Sequence, residues 1–543
     1  MILILIGLTL LFPFLFKYQY LITNQFTQIP IINSILDPTY LTNDWYVTIS
    51  RSFGPRTIFA YYMAFVSKLI TLPGAFFLNY LIYIFLIAWS AFQLTQLLFK
   101  DKYISLFTTL FILFGTTYSP GGNILITHDF SAPQLPLALI LTTFVFMFQE
   151  KIFLAILLLV IATYLHPLLG WEGGTLILVV WSLPKLLNKK LKTRFLSILK
   201  IWLLFILLTL PLFLTYFSEI NNANLGVGNQ TLINILAYSR NPHHYIATSW
   251  PLTVYLHFLL FLGVSFFSGV KSWPKLNQTA KNIFKQILLL GGLILGLNLI
   301  GFIFTEILPI YQIVAAQLFR SNLFIYFLAA MILYGGVLTL VKTGKLSPVF
   351  LVLLLLINQP DLTLRGKSDF LTLFVFLLAG WLFVKNKYMI AIILLISAFY
   401  FTNFHMRFSY DSYFNQSPTL TRLTNWVKTN TPTDSVFIIP PQMEEFRLLA
   451  DRAVVADWKA FPFQKQGMWQ WHQRMCDIGN IQPCQNGLIQ RDEVVKGFLT
   501  HTEPSITELT KKYQAQYLIS YISYPHLQPV FTSSPYIIYK LIN

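Results

Sequence analysis

Two carboxylates seven positions apart, Asp37 and Asp44, stand in the stretch LDPTYLTNDWY at 36–46, with Arg51 and Arg56 following. A carboxylate at the rim of an apolar cavity loses solvation and gains proton affinity, which suits it to general-base work or metal binding. Asp37 precedes a proline and reads as a turn-shaping residue. Asp44 reads as the chemical one of the pair. In GTTYSPGGNILITHDFSAPQLP, glycines and prolines shape a loop that presents His128 and Asp129 side by side. Such neighbours can ligate a metal or share a proton, and Asp129 reads equally well as a helix cap. In YLHPLLGWEGG, His166, Trp171 and Glu172 come together; the Trp has the alternative role of interfacial anchor, while a Glu at the edge of an apolar run needs a partner. The long stretch 218–250 holds Arg240, His243 and His244 in SRNPHHYIATSWP, and Arg320 follows in AAQLFRSN. Arg320 could grip a phosphate through two parallel hydrogen bonds, or snorkel to an interface.

The elements that must position these residues follow from composition. Of 543 residues, 55% are hydrophobic and only 11% charged, and the mean hydropathy is +0.62. Apolar runs long enough to cross a bilayer recur along the chain. They predict a polytopic α-helical membrane protein with about 13 transmembrane helices, at 1–16, 76–98, 103–118, 133–148, 151–165, 172–183, 200–217, 251–268, 286–304, 323–341, 347–358, 370–384 and 388–404. The net charge of +17 is spread over short connections between these runs, which is the pattern of cytoplasmic retention of Lys and Arg and argues against nucleic acid as a partner. The first apolar run lacks a basic leader and a small-residue cleavage site, and reads as an uncleaved span.

Segment 58–72 has the length of a span, but Lys68 and the following Pro73-Gly74 favour a helix lying in the interface. With that segment not crossing, the run PKLLNKKLKTR falls inside together with most other lysines. The amino terminus is then cytoplasmic, and the outer loops expected to carry the chemistry are 17–75, 119–132, 166–171, 218–250 and 305–322. Asp37, Asp44, Asp129, Glu172, Glu219, Glu306, Asp361 and Asp369 all land outside, whereas Asp101 and Glu150 land inside. Residues 1–404 form the membrane domain. Residues 405–543 form a water-exposed α/β domain on the outer side, with an amphipathic helix and a short strand in NWVKTNTPTDSVFIIPP and further strands in RAVVADW and YLISYIS. The chain's two cysteines, Cys476 and Cys484, lie in that domain, in a compartment where disulfides persist, and we expect them to pair; two free thiols are the alternative. No Walker loop or dinucleotide fingerprint is present.

The first outer loop with its Asp and interfacial helix, the acidic second outer loop, the many spans and the outer α/β tail together resemble the GT-C membrane glycosyltransferases. The tail stretches ADRAVVADWKAFPF and WQWHQRM (Ala450 to Phe463, Trp469 to Met475) are similar to those of uncharacterised bacterial relatives. The resemblance implies transfer of a sugar from a polyprenyl-phosphate carrier to an acceptor glycan, lipid or protein at the outer face of a bacterial inner or plasma membrane, with inversion at the anomeric carbon. It matches Asp44 to the catalytic first-loop acid and Asp129 to the second-loop acid. His128 stands where relatives carry a second acid, which leaves a divalent metal at Asp44, His128 and Asp129 open. Arg320 and Arg240, with His166, Glu172, His243, His244 and Asp37 nearby, would bind the donor. A transporter or flippase of lipid-linked sugars, and a non-catalytic scaffold, are the alternatives.

Overall fold

The computed structural model describes the chain apart from residues 116–117, 188–190, 222–225, 348, 351–366, 403–405, 415–416, 485 and 542–543. Helices form at the predicted segments within the described residues, and 347–358 falls largely outside them. Long apolar runs become helices because a helix satisfies its own N–H and C=O groups where no water can. Among the described residues, five are long and apolar enough to cross a membrane: Leu72–Phe99, Phe195–Tyr216, Leu252–Lys275, Gln278–Ile307 and Tyr311–Lys342. Others, such as Ile2–Phe16 and Gln134–Phe148, are shorter.

The helix Asn322–Lys342 is the pillar of the bundle and is buried almost throughout. A Cβ on Gly335 would collide with Phe99, and one on Gly336 with Ser268, so these two glycines let the neighbouring helices close on the pillar. At the opposite extreme, the helix Leu191–Asn221 leaves Leu203, Leu207, Phe213 and Leu214 exposed, an apolar flank suited to lipid. Asp101 pairs with Lys342 at 2.5 Å and Glu150 pairs with Lys185. The two acids expected inside therefore sit with the lysines of that side.

Segment 58–72 resolves into its own helix, Thr57–Leu69, about 20 Å long by helical rise against a hydrocarbon core of about 30 Å. Phe59, Ala60, Met63 and Ala64 are buried, while Tyr61, Phe65 and Leu69 are exposed. Thr71 then caps the next helix by accepting from the Gly74 N–H, and Pro73 occupies its first turn, where the missing N–H is harmless.

The tail folds around a five-stranded sheet with spatial order Ala453–Val454, Val436–Ile438, Tyr517–Ser520, Tyr536–Lys540, Gln528–Ser533. The first three run parallel and the last two close antiparallel, with Phe437 opposite Val454 and Tyr517 and with Leu518 opposite Tyr539. The amphipathic helix Pro418–Asn430 buries Leu420, Leu423 and Val427. The final hairpin was not anticipated from sequence, although PVFTSSPYIIYK carries the β-branched and aromatic residues of such strands. Cys476 and Cys484 form a disulfide, as expected. The tail is tied to the membrane part by backbone bonds between Tyr18, Tyr20 and Ser409, and by contacts from residues 486–489 to the segment 234–240.

Candidate anion site at the helix ends

Arg320 lies just before the pillar helix, in a 3-10 turn, Leu318–Ser321. Its Nη1 stands 3.4 Å from Nε2 of His166, the residue that both ends Ile152–Leu165 and caps Pro167–Leu186. As a cap, His166 Nδ1 accepts the Leu169 N–H at 3.4 Å. A neutral imidazole has one acceptor nitrogen, so the Leu169 N–H and Arg320 Nη1 compete for it, and the donor left over is one that an anionic oxygen would satisfy. Arg320 Nε and Arg240 Nε are both buried without a partner in the protein. Both carboxylate oxygens of Glu172 are buried, beside Ser321 and in the electrostatic field of Arg320. A Cβ on Gly170 would strike the Thr163 backbone; the bare glycine lets these two helices cross tightly, with His166 and Glu172 at the first turns of one of them.

Below this point an apolar cavity of about 560 Å³ opens between Pro167–Leu186 and Gln278–Phe302, lined by Leu168, Trp171, Glu172, Gly292, Gly296 and Leu318 among others. Beside the Arg320–His166 pair, Arg56 donates to Thr27 Oγ1 at 3.1 Å and lies 5.0 Å over the Phe463 ring. Arg56 acts electrostatically on His166, Arg320, Arg240 and Lys459, so four cations surround one region. Arg240 stands over Phe461 and donates to the Lys459 carbonyl at 3.3 Å, and burial pushes its guanidinium down to about 10. Burial, with Glu444 opposing it, also lowers the Lys459 ammonium.

His243 and His244 belong to the same region. Their rings are 4.0 Å apart, and His244 Nδ1 donates to the Gly121 carbonyl at 2.6 Å. Burial and the nearby Arg320 hold His244 down to about 3, and burial with Arg240 lowers His243. Asp129 accepts from Thr23 Oγ1 at 2.6 Å, and burial raises its proton affinity despite that bond and the field of Lys459. It is not a helix cap: the next helix, Gln134–Phe148, starts after Pro133. His128 lies behind it, stacked on Phe16 at 4.1 Å with Nδ1 on the Phe16 carbonyl, where it holds the loop to the first helix.

Asp44 and Asp37 lie elsewhere. Asp44 is 0% exposed. Its Oδ1 caps Trp45–Ile49 by accepting from Val47 N at 2.9 Å, and its Oδ2 accepts from Arg447 Nε at 2.8 Å and Val454 N at 3.0 Å. Fully buried, with three donors on its two oxygens and a guanidinium among them, this carboxylate lies out of an acceptor hydroxyl's reach here, which removes support from the reading of Asp44 as the base. Asp37 shapes a turn, as expected, with Thr39 donating to Oδ1 through both backbone and hydroxyl, and those bonds lower its pKa. Nor do Asp44, His128 and Asp129 gather as metal ligands. The one trio of ligand atoms found within 4.8 Å among the described residues is His472, Cys476 and Cys484, whose sulfurs are joined to each other.

Arg56, Lys459 and Glu444 were not picked out from sequence as site residues. Arg56 and Lys459 stand inside stretches that were singled out, LDPTYLTNDWY with its following arginines and ADRAVVADWKAFPF, but a cation next to a turn carries no signal of which cavity it reaches.

Residues 418–478 match a family described as a domain of unknown function, DUF6798; the stretch includes Arg447, Asp457 and Lys459. No curated protein sequence matches. The fold is similar to the crystal structure of ArnT from Cupriavidus metallidurans in the apo state, with a TM-score of 0.56 over 99% of this chain and 97% of that one, at 11% sequence identity. At that identity the likeness speaks for the fold alone, which the two chains share over nearly their whole length.

Proposed function

We propose that the chain is an integral membrane glycosyltransferase that takes a sugar from a polyprenyl-phosphate carrier at the outer face of a bacterial inner membrane. The observation that carries this reading is the apolar cavity that Glu172 lines together with Leu168 and Leu318, each two residues from the paired His166 and Arg320. A lipid with a phosphate head has that polarity profile: its chain needs a water-free slot and its head a set of fixed donors. In this reading all thirteen predicted segments span, the amino terminus is cytoplasmic and the tail domain is extracytoplasmic.

The chemistry assigned to the residues is as follows. An acceptor hydroxyl attacks the anomeric carbon, the bond from that carbon to the phosphate oxygen breaks with its electron pair going to the phosphate, and the hydroxyl proton passes to Asp129. Burial lifts the proton affinity of Asp129 toward that of a useful base. Arg320, Arg240 and His166 oppose the negative charge growing on the leaving phosphate. Glu172 accepts hydrogen bonds from the sugar.

The test uses purified protein and a panel of polyprenyl-phosphate sugars. Asp129→Asn should lower transfer by about 10²- to 10⁴-fold while leaving donor binding nearly intact. Arg320→Lys should weaken donor binding, because a lysine cannot reproduce the planar fork. Donor binding by the wild type with no transfer to any acceptor would point to the transporter reading instead.

A further inference from the structure

The buried Asp44 begins a relay that ends in the site. Arg447 bridges Asp44 and Asp457, its Nη1 donating to Asp457 Oδ2, and all three side chains are at most 1% exposed. Burial alone would push the Arg447 guanidinium down, but the two carboxylates outweigh it and raise its pKa. The other oxygen of Asp457, Oδ1, accepts the backbone N–H of Lys459 at 2.9 Å and of Ala460 at 2.8 Å, and the Asp457 carbonyl accepts from Trp471 Nε1 at 3.2 Å. The turn is thereby held from both ends. From it the Lys459 carbonyl engages Arg240, Phe461 underlies Arg240, and Phe463 underlies Arg56.

Burying three charges in one relay is expensive, and neutral apolar residues of similar volume are often as stable. Lys459 stands against Arg240, whose Nη2 donates to its carbonyl at 3.3 Å, in a field shared by Glu444, Arg240, Arg56 and Asp129, and it forms no ion pair within 4.0 Å among the described residues. The share of that field due to the two guanidiniums is relieved when an anion enters between the cations. Resting on the proposed lipid-phosphate site, we infer that the tail domain completes that site: Lys459 contacts the phosphate of the donor, and Asp44, Arg447 and Asp457 are positioning residues that hold it there. The membrane part alone is then an incomplete site.

The experiment measures binding of farnesyl phosphate to the full chain in detergent, alongside thermal melting of each variant. Lys459→Gln should melt like the wild type and bind about 10- to 100-fold more weakly, and Lys459→Arg should restore most of the affinity. Asp44→Asn should weaken binding comparably, and the double variant with Lys459→Gln should bind no more weakly than Lys459→Gln alone, because both changes remove one contact. Asp44→Glu, which keeps the charge and moves it by one methylene, is the milder form should Asp44→Asn not fold. Unchanged affinity in Lys459→Gln, or losses that multiply in the double variant, would overturn the inference. If Arg320→Gln loses binding while Lys459→Gln does not, the inference falls and the site reading stands. If the wild type fails to bind, or Arg320→Gln binds like the wild type, both fall.

Discussion

At the scale of single residues, Asp44 stands out in the sequence but takes its surroundings from the fold. One of two acids in a loop after an apolar run, Asp44 is visible in the sequence; that its oxygens are taken by Arg447, Val47 and Val454 is not, since two of those partners lie some four hundred positions away. Asp44→Asn leaves Arg447 half-paired in a dry interior and should cost about 3–5 kcal/mol of stability, seen as a lower melting temperature in detergent. Asp37→Asn should leave the melt nearly unchanged, since its turn is exposed. His244 makes a pH prediction. Its folded pKa of about 3 lies below the usual value of 6.5, so the unfolded chain takes up the proton first as pH falls. Stability should therefore drop from about pH 6.5 downward and level off near pH 3, and His244→Gln should flatten that part of the melting profile.

Among the elements, the best-read were those with strong periodicity. The apolar helices, the amphipathic Pro418–Asn430 and the strands within RAVVADW and YLISYIS follow from patterns that local sequence contains. The convergence of Arg56, Arg240, Arg320 and Lys459 does not, because it arises from packing of four segments far apart in the chain. The seat of Arg240 depends on one such meeting. Residues 486–489 grip the segment Asn234–Arg240: Asn234 donates to the Asn486 carbonyl at 2.6 Å, Ser239 Oγ donates to the Gly487 carbonyl at 2.8 Å, and Ile489 N donates to Ser239 Oγ at 2.9 Å. Gly487 has a φ of +75°, and a Cβ there would stand 2.5 Å from the Thr231 carbonyl oxygen. Gly487→Ala should cost about 1–3 kcal/mol by thermal melting, from the left-handed backbone and the collision together, and should weaken farnesyl phosphate binding through Arg240.

For the whole molecule, orientation is the prediction. On a background lacking Cys476 and Cys484, a cysteine placed at Lys345 should label only from the cytoplasmic side and one at Glu508 only from the outside. Labelling of both from one side would invalidate the topology and the outer-face assignment of the site. A different consequence attaches to the pillar helix Asn322–Lys342, which meets protein on nearly every side. During synthesis it leaves the translocation channel into lipid as an apolar rod no different from its neighbours, then exchanges that lipid for the helices around it. Gly335 and Gly336 are where Phe99 and the helix Leu252–Ser272 close upon it, so a bulkier residue there acts before any folded molecule exists. Its signature would be loss of protein to membrane quality control, with the surviving molecules turning over at the normal rate.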